Sequence, residues 1–111
     1  ALPISHALRN LADNAARHAR DLVSIRVRAD RATVTVEIED DGDGIAPAQR
    51  DRVFERFSRL DEGRARDEGG SGLGLAIVRE VVLAHGGSVA VTEGARGGAR
   101  FVVTLPADPG P

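Results

Sequence analysis

The chain has 111 residues, enough for one domain with a single hydrophobic core. Its apolar content of 41% and charged content of 29% are typical of a soluble globular protein, and its net charge of −2 argues against nucleic-acid binding. Cysteine is absent, which excludes disulfides and cysteine-ligated metals, and lysine is absent, which excludes a P-loop. No apolar run approaches about 18 residues, so we expect no transmembrane helix, and no signal peptide is visible. Because methionine is also absent, we expect the chain to be part of a longer protein or to be processed.

The first predicted element is a helix from Ile4 to Ala19, with Pro3 at its first turn. Apolar side chains recur along it at spacings of three and four residues, which predicts a face that packs on the core. Beside that face runs a polar stripe whose members also neighbour one another at helical spacing: Asn10, Asn14, Arg17 and His18. An amide oxygen suits Mg²⁺ and a nearby cation suits phosphate. The alternative is a solvated polar face in which Asp13 and Arg17 form an ion pair.

Two alternating segments, Leu22 to Ala29 and Ala32 to Glu39, predict an antiparallel hairpin. The second strand runs directly into an acidic bend, Asp40-Asp41-Gly42-Asp43-Gly44, whose glycines permit a positive φ or the close approach of another body. A carboxylate at the end of a buried strand only accepts hydrogen bonds, which suits a ligand amine such as the exocyclic amine of adenine. The alternative is an ordinary Asp-Gly hairpin turn.

The middle of the chain begins with a short predicted helix from Pro47 to Arg52. It is followed by Val53 to Phe57, whose two phenylalanines we expect to pack into the core. Ser58 to Ser71 is charged and contains glycine but almost no apolar anchor, which predicts a mobile loop. This loop is either a lid over a site or a disordered insertion.

Alternating glycines open a third predicted helix, from Gly70 to Ala84. Such an entry exposes backbone N–H groups where the helix dipole favours an anion, and the alternative is a close packing contact. The glycine spacing is not the dinucleotide fingerprint, and no strand precedes it. Gly86 and Gly87 end this helix, two more strands cover Ser88 to Thr92 and Ala99 to Leu105, and a tail occupies residues 106–111.

Four segments in this order resemble the N, G1, F and G2 boxes of the ATP-binding domain of sensor histidine kinases: NLADNAARHA (10–19), DDGDGI (40–45), VFERFSRLD (53–61) and GGSGLGLAIV (69–78). The closing HGG, GGARF and LP segments are also similar to that family. The resemblance implies a two-layer α/β sandwich of the Bergerat type, with a mixed β-sheet, helices on one face and a mobile ATP lid at 57–71. It covers nearly all of a single domain, 1–111, but the strand that usually precedes the first helix is either missing or clipped from this sequence.

The resemblance also assigns roles around the purine. Asp40 matches the aspartate that reads adenine, and Gly42, Gly44 and Ile45 belong to the same box, where the glycines let the ring lie close. His18 stands where tyrosine is common beside the adenine.

Further roles concern the metal and the phosphates. Asn14 matches the Mg²⁺-binding asparagine, and Asn10 lies one helical turn before it. Arg17 stands where the family usually has lysine near the phosphates. The glycine-rich box beside the phosphates supplies Gly70, Gly72, Leu73 and Gly74, and Arg59 is a weaker candidate for the γ-phosphate.

The activity implied by the resemblance is transfer of the γ-phosphoryl group of ATP, with Mg²⁺, to a histidine in a separate dimerisation domain, with Asn14 and Arg17 as catalytic residues. We expect a monomeric cytoplasmic domain of a membrane-anchored kinase that signals to a response regulator and binds no nucleic acid. None of the three histidines stands in the family's acceptor context, so the fragment should bind nucleotide without autophosphorylating. The alternatives are an anti-sigma-factor type of serine kinase and a non-catalytic binding module.

Overall fold

A computed structural model describes residues 3–55 and 74–107 of the chain. In chain order these residues form α1 (Ile4–His18), β1 (Val23–Ala29), β2 (Thr33–Asp40), two short 3₁₀ turns (Pro47–Gln49 and Arg52–Phe54), α2 (Gly74–Ala84), β3 (Ser88–Glu93) and β4 (Ala99–Pro106). α1 and the four strands lie within one residue of their predicted bounds. The predicted helix at Pro47 to Arg52 is instead the pair of 3₁₀ turns, because so short a segment gains too few hydrogen bonds to nucleate an α-helix.

The four strands form one sheet in the order β1-β2-β4-β3. The predicted β1–β2 hairpin is confirmed, with Val27 opposite Val36. β4 lies between β2 and β3, so that Ile38 of β2 faces Phe101 of β4. All three described pairings are antiparallel, and β2 and β3 run in the same direction on either side of β4.

Both helices cover one face of this sheet, which is the two-layer α/β arrangement predicted from the sequence. The apolar stripe of α1 buries Leu11 and Ala15, and α2 buries Val78 and Val82. The two helices pack against every second side chain of the central strands, because successive strand residues point to opposite faces of the sheet. The fully buried side chains that meet there include Ile38, Phe101 and Val103. The core therefore lies between the helices and the two central strands.

The first of the two phenylalanines predicted to be buried, Phe54, is confirmed in the core. Its ring lies edge-on to Phe101, with 6.0 Å between centroids and 89° between planes. This geometry brings the positive edge of one ring to the negative face of the other. The second phenylalanine, Phe57, lies outside the described residues. Among the described residues, no helix combines the length and hydrophobicity that crossing a membrane requires.

The connection between α1 and β1 is held by a side chain from a distant part of the chain. One carboxylate, Asp41, accepts hydrogen bonds from the backbone N–H groups of Arg20 at 2.7 Å, Asp21 at 3.1 Å and Leu22 at 3.2 Å. These bonds, that of Asp21 foremost, hold the pKa of Asp41 below its ordinary value. Asp30 acts in the same way within the β1–β2 turn, where the N–H groups of Thr33 and Ala32 lower its pKa. Ionised carboxylates therefore fasten two of the turns.

We predict that replacing Asp41 by asparagine makes stability less sensitive to acid. A lowered folded-state pKa stabilises the fold fully above the unfolded-state pKa of about 3.9, and this contribution is lost as the pH falls through the folded-state value. The Asp41→Asn variant should therefore melt below wild type at pH 7, and the gap in Tm should narrow below about pH 4. Melting curves from pH 7 to pH 3 measure this.

The matched control is Asp51→Asn, because Asp51 is exposed and its side chain makes no capping hydrogen bond. Its Tm should follow that of wild type at every pH. A gap between Asp41→Asn and wild type that stays constant down to pH 3 would refute the role assigned to the Asp41 carboxylate.

Candidate functional site

A cavity of about 290 Å³ opens where β2 ends and the acidic bend begins. It brings together residues that are far apart in the sequence, from α1, the bend and β4. Its lining consists of Asn14, His18, Asp40, Asp43, Gly44, Ile45, Ala99 and Phe101. Five of the residues predicted for the site therefore share one cavity: Asn14, His18, Asp40, Gly44 and Ile45.

Asp40 is the buried acid of this cavity, with only 3% of its surface exposed. Its Oδ1 atom accepts hydrogen bonds from the backbone N–H of Gly42 at 2.8 Å and from that of Ala99 at 3.3 Å. Among the described residues no donor is bonded to Oδ2. A buried carboxylate is stabilised by such N–H donors, and here they occupy one oxygen only. The arrangement leaves the second oxygen to accept a hydrogen bond from a ligand.

Two glycines of the bend are needed because the protein's own backbone approaches them. A Cβ atom on Gly42 would overlap the carbonyl oxygen of His18, at the end of α1. Gly44 has a φ of +76°, and a Cβ there would lie 2.6 Å from the carbonyl oxygen of Gly97. The close approach predicted at these glycines is therefore made by α1 and by the β3–β4 turn, Gly94 to Gly98. Both contacts fix the bend that carries the site.

The polar stripe of α1 divides in the structure. Asn14 is 5% exposed and lines the cavity, and His18 follows one helical turn later, with its Nε2 atom buried. Asn10 is half-buried and Arg17 is exposed, and neither lines the cavity. The interpretation of the stripe as a wholly solvated face is therefore wrong for Asn14. The two stripe residues in the cavity, Asn14 and His18, lie one helical turn apart at the end of α1 that Gly42 contacts.

The other predicted site residues mostly fall where the structure gives no description. Arg59, Gly70, Gly72 and Leu73 lie outside the described residues, as does the predicted lid at 57–71. Gly74 is the first residue of α2, and no atom of the described residues lies within 4 Å of the place that its Cβ would take. The roles given to these residues remain predictions.

Three cavity residues were not among those predicted: Asp43, Ala99 and Phe101. The last two lie in the GGARF segment, which was noted as similar to the family but given no place in the site. Because β4 pairs with β2, its first residues lie directly beside Asp40. A prediction that β4 pairs with β2 would have placed Ala99 and Phe101 near Asp40. Asp43 forms an ion pair with Arg20 at 2.6 Å, but both side chains are largely exposed, so the pair contributes little to stability.

We predict that Gly42→Ala destabilises the protein and Gly74→Ala does not. The first substitution places a methyl group against the His18 carbonyl and should lower the free energy of unfolding by about 1–3 kcal/mol. The second adds a methyl group in open space at the start of a helix and should change the free energy by less than about 1 kcal/mol. Urea denaturation measures both. Equal stabilities of the two variants would show that the bend does not pack on α1 as described.

Comparison with known proteins identifies the family to which the chain belongs. A family model described as histidine kinase-, DNA gyrase B-, and HSP90-like ATPase matches residues 1–109. The sensor histidine kinase CusS of Escherichia coli K12 is 48% identical over 108 residues, which are 96% of this chain and 22% of that protein. The chain thus spans about a fifth of the length of such relatives.

Solved structures agree with the fold. The mycobacterial sensor histidine kinase MprB superimposes with a TM-score of 0.77 at 38% identity, covering 91% of this chain and 68% of that one. Full-length ShkA, solved in complex with AMPPNP, gives a TM-score of 0.76 at 36% identity, covering 91% of this chain and 20% of that one. The predicted α/β fold and the resemblance to histidine kinases are confirmed, and the chain belongs to the family of histidine kinase-, DNA gyrase B- and HSP90-like ATPases.

Proposed function

We propose that this chain is the catalytic, ATP-binding domain of a sensor histidine kinase and that the adenine ring occupies the cavity beside Asp40. One observation carries the proposal: at the end of a strand, a buried carboxylate that lines a cavity has one oxygen that accepts no hydrogen bond from the described residues. Support comes also from the relatives, since CusS and MprB are sensor histidine kinases and ShkA was solved with an ATP analogue.

The chemistry of the cavity suits adenine. The exocyclic amine of adenine donates hydrogen bonds, and an ionised carboxylate only accepts them. Ile45, Ala99 and Phe101 provide apolar surface around Asp40, which suits the faces of a flat heteroaromatic ring. Because the site is buried, this hydrogen bond is stronger than it would be in water.

The metal and phosphate side of the proposal rests on Asn14. Its amide oxygen is a hard ligand that suits Mg²⁺, and Mg²⁺ commonly takes one or two protein ligands and completes its shell with water and phosphate oxygens. The described residues contain no cluster of three or more His, Cys, Asp or Glu side chains that could hold a metal by itself. Asn14 would therefore hold the ion together with the phosphates, and the bound ion would neutralise phosphate charge.

In the proposed reaction, a histidine nitrogen of a separate domain attacks the γ-phosphorus of ATP. A nitrogen–phosphorus bond forms, the bond from the γ-phosphorus to its bridging oxygen breaks, and ADP leaves. Such a reaction needs alignment and charge neutralisation more than covalent help from the protein. Asn14, Arg17 and the backbone near Gly72 and Gly74 are the groups proposed to supply both.

The wider setting follows from the relatives and is part of the same proposal. The acceptor histidine would lie in another domain of the parent kinase, a response regulator would receive the phosphoryl group, and this domain would work on the cytoplasmic side of the membrane. The named relatives are sensor histidine kinases, so they lend no support to a serine kinase or to a non-catalytic module.

Asp40→Asn should weaken ADP binding by about 30- to 150-fold, or about 2–3 kcal/mol, because a donor then faces the adenine amine where an acceptor was needed. Isothermal titration calorimetry is the measurement, since the chain has no tryptophan or tyrosine. The control is Asp43→Asn. Asp43 lines the same cavity, but its side chain is 91% exposed, so this substitution should change the ADP affinity by less than about threefold. Unchanged affinity in Asp40→Asn would mean that the purine lies elsewhere.

Asn14→Ala should weaken nucleotide binding in Mg²⁺ while leaving the affinity in EDTA nearly unchanged, because the amide oxygen is proposed to act through the metal. Titrations of ADP with and without Mg²⁺ measure the two affinities, and the melting curve should show a stable fold. Asp13→Ala on the exposed face of the same helix is the control. Equal losses with and without Mg²⁺ would refute this role for Asn14.

A further inference from the structure

We propose that Glu39 and the β3–β4 turn are positioning elements that fix the direction in which Asp40 presents its unoccupied oxygen, and that they thereby set the preference for a 6-aminopurine over a 6-oxopurine. This inference rests on the proposed function, because it concerns how the adenine site achieves its selectivity. Neither Glu39 nor the turn lines the cavity, and the effect proposed here passes through Asp40, although the turn also contacts the cavity residue Gly44.

Oδ1 is the anchored oxygen of Asp40. One of its two donors, the backbone N–H of Ala99, belongs to the first residue of β4, directly after the turn. A Cβ on Gly98 would overlap the backbone carbonyl of Asp40 and press on Oδ1. The end of the turn therefore packs directly on the carboxylate, and a displacement of the turn would rotate it.

The turn is held by its own backbone hydrogen bonds and by Glu39. It is closed internally by the Gly94 N–H on the carbonyl oxygen of Gly98 at 2.8 Å and by the Gly97 N–H on that of Gly94 at 3.1 Å. It is fastened to β2 by Glu39, whose Oε2 accepts the N–H of Ala95 at 2.6 Å. A Cβ on Gly94 would come within 2.9 Å of that carboxylate, so the start of the turn packs against it as well.

The other oxygen of Glu39 is also occupied. Its Oε1 accepts a hydrogen bond from Nε of Arg100 at 3.1 Å, and the side chain is only 13% exposed. Burial raises the pKa of Glu39, but the Arg100 hydrogen bond and the Ala95 N–H outweigh it and leave the pKa lowered. Glu39 is therefore ionised near neutral pH, and both of its carboxylate oxygens accept hydrogen bonds.

Strand geometry explains why the two acids act as a pair. Glu39 and Asp40 are consecutive in β2, so their side chains point to opposite faces of the sheet. Asp40 meets the end of the turn at Gly98 and Ala99, and Glu39 meets its start at Gly94 and Ala95. The two acids therefore hold the two ends of the turn from opposite faces of the sheet, next to the carboxylate oxygen that is proposed to bind the purine.

The selectivity follows from hydrogen-bond chemistry. A 6-aminopurine offers a donor to the unoccupied oxygen of Asp40, whereas a 6-oxopurine offers an acceptor and leaves two acceptors facing each other. This discrimination depends on the direction of the carboxylate, since hydrogen bonds weaken steeply when misaligned. A loosened turn should therefore reduce the preference for adenine more than it reduces general binding.

The test compares Glu39→Gln with Glu37→Gln. Glu37 lies on the same strand and the same face, is 14% exposed, and pairs with Arg28 at 2.7 Å, so it matches Glu39 in burial and charge but not in contact with the turn. Glutamine keeps the shape of each side chain but loses the charge and one acceptor oxygen. The affinities for ADP and for inosine diphosphate are measured by calorimetry, with melting curves alongside.

Glu39→Gln should lower the ADP-to-inosine-diphosphate affinity ratio by about three- to tenfold, the effect of weakening one charge-assisted contact. Glu37→Gln should leave the ratio at its wild-type value even where its Tm falls. A ratio unchanged in Glu39→Gln despite a lower Tm would assign Glu39 a structural role only and overturn the inference. Wild-type protein that binds neither nucleotide would overturn the proposed function itself, which is a different result.

A second pair of variants tests the turn directly. Gly98→Ala forces a methyl group onto Asp40, whereas Gly97→Ala adds one in open space at a residue whose φ of +82° is strained for alanine. Both should lower Tm, and Gly98→Ala, which acts on Asp40 directly, should lower the affinity ratio further than Gly97→Ala does. A wild-type ratio in Gly98→Ala would overturn the positioning role.

Discussion

The site depends on a buried carboxylate that is anchored by one oxygen and, among the described residues, has no donor on the other. Two backbone N–H groups from different segments, those of Gly42 and Ala99, meet on one oxygen of Asp40. Burying a charge without such donors would cost several kcal/mol or neutralise the group, whereas filling both oxygens would leave nothing for a ligand. The bend, β4 and the end of α1 together keep Asp40 in this arrangement, with donors on one oxygen and a second oxygen for a ligand. Hence the geometry of the site and the pairing of β2 with β4 cannot be separated.

Consecutive acids at the end of β2 each fasten a different part of the chain. Glu39 holds the β3–β4 turn, Asp40 holds the bend and the start of β4, and Asp41 holds the connection from α1 to β1. Adjacent like charges repel, and here each is compensated by N–H donors or by an arginine, so the run of acids ties segments together. Gly42 completes the arrangement by letting the bend lie against the last turn of α1.

Much of this fold could be predicted from alternation and helical spacing, because those patterns are local. The strands of β1 and β2, their hairpin and the apolar face of α1 all follow from residues near one another in sequence. The place of Asp40 in the site followed from the same strand pattern together with the family resemblance. Phe101 and Ala99 did not follow, because their place depends on which later strand pairs with β2. The donors for Asp41 are about 20 residues away in the chain and carry no local signal.

The glycines of the bend are a second feature whose role the sequence alone could not determine. Glycine in the bend indicates that something approaches the backbone closely, but the sequence cannot say whether that body is a ligand or the protein. Here it is the protein: the His18 carbonyl lies against Gly42 and the Gly97 carbonyl lies against Gly44. The cavity that is proposed to hold the purine is therefore bounded by backbone atoms that are already packed. A wall built in this way has little freedom to relax, so the orientation of Asp40 is set before any ligand arrives. A carboxylate that is oriented in advance loses less conformational freedom on binding, which would help the proposed purine site to select its base.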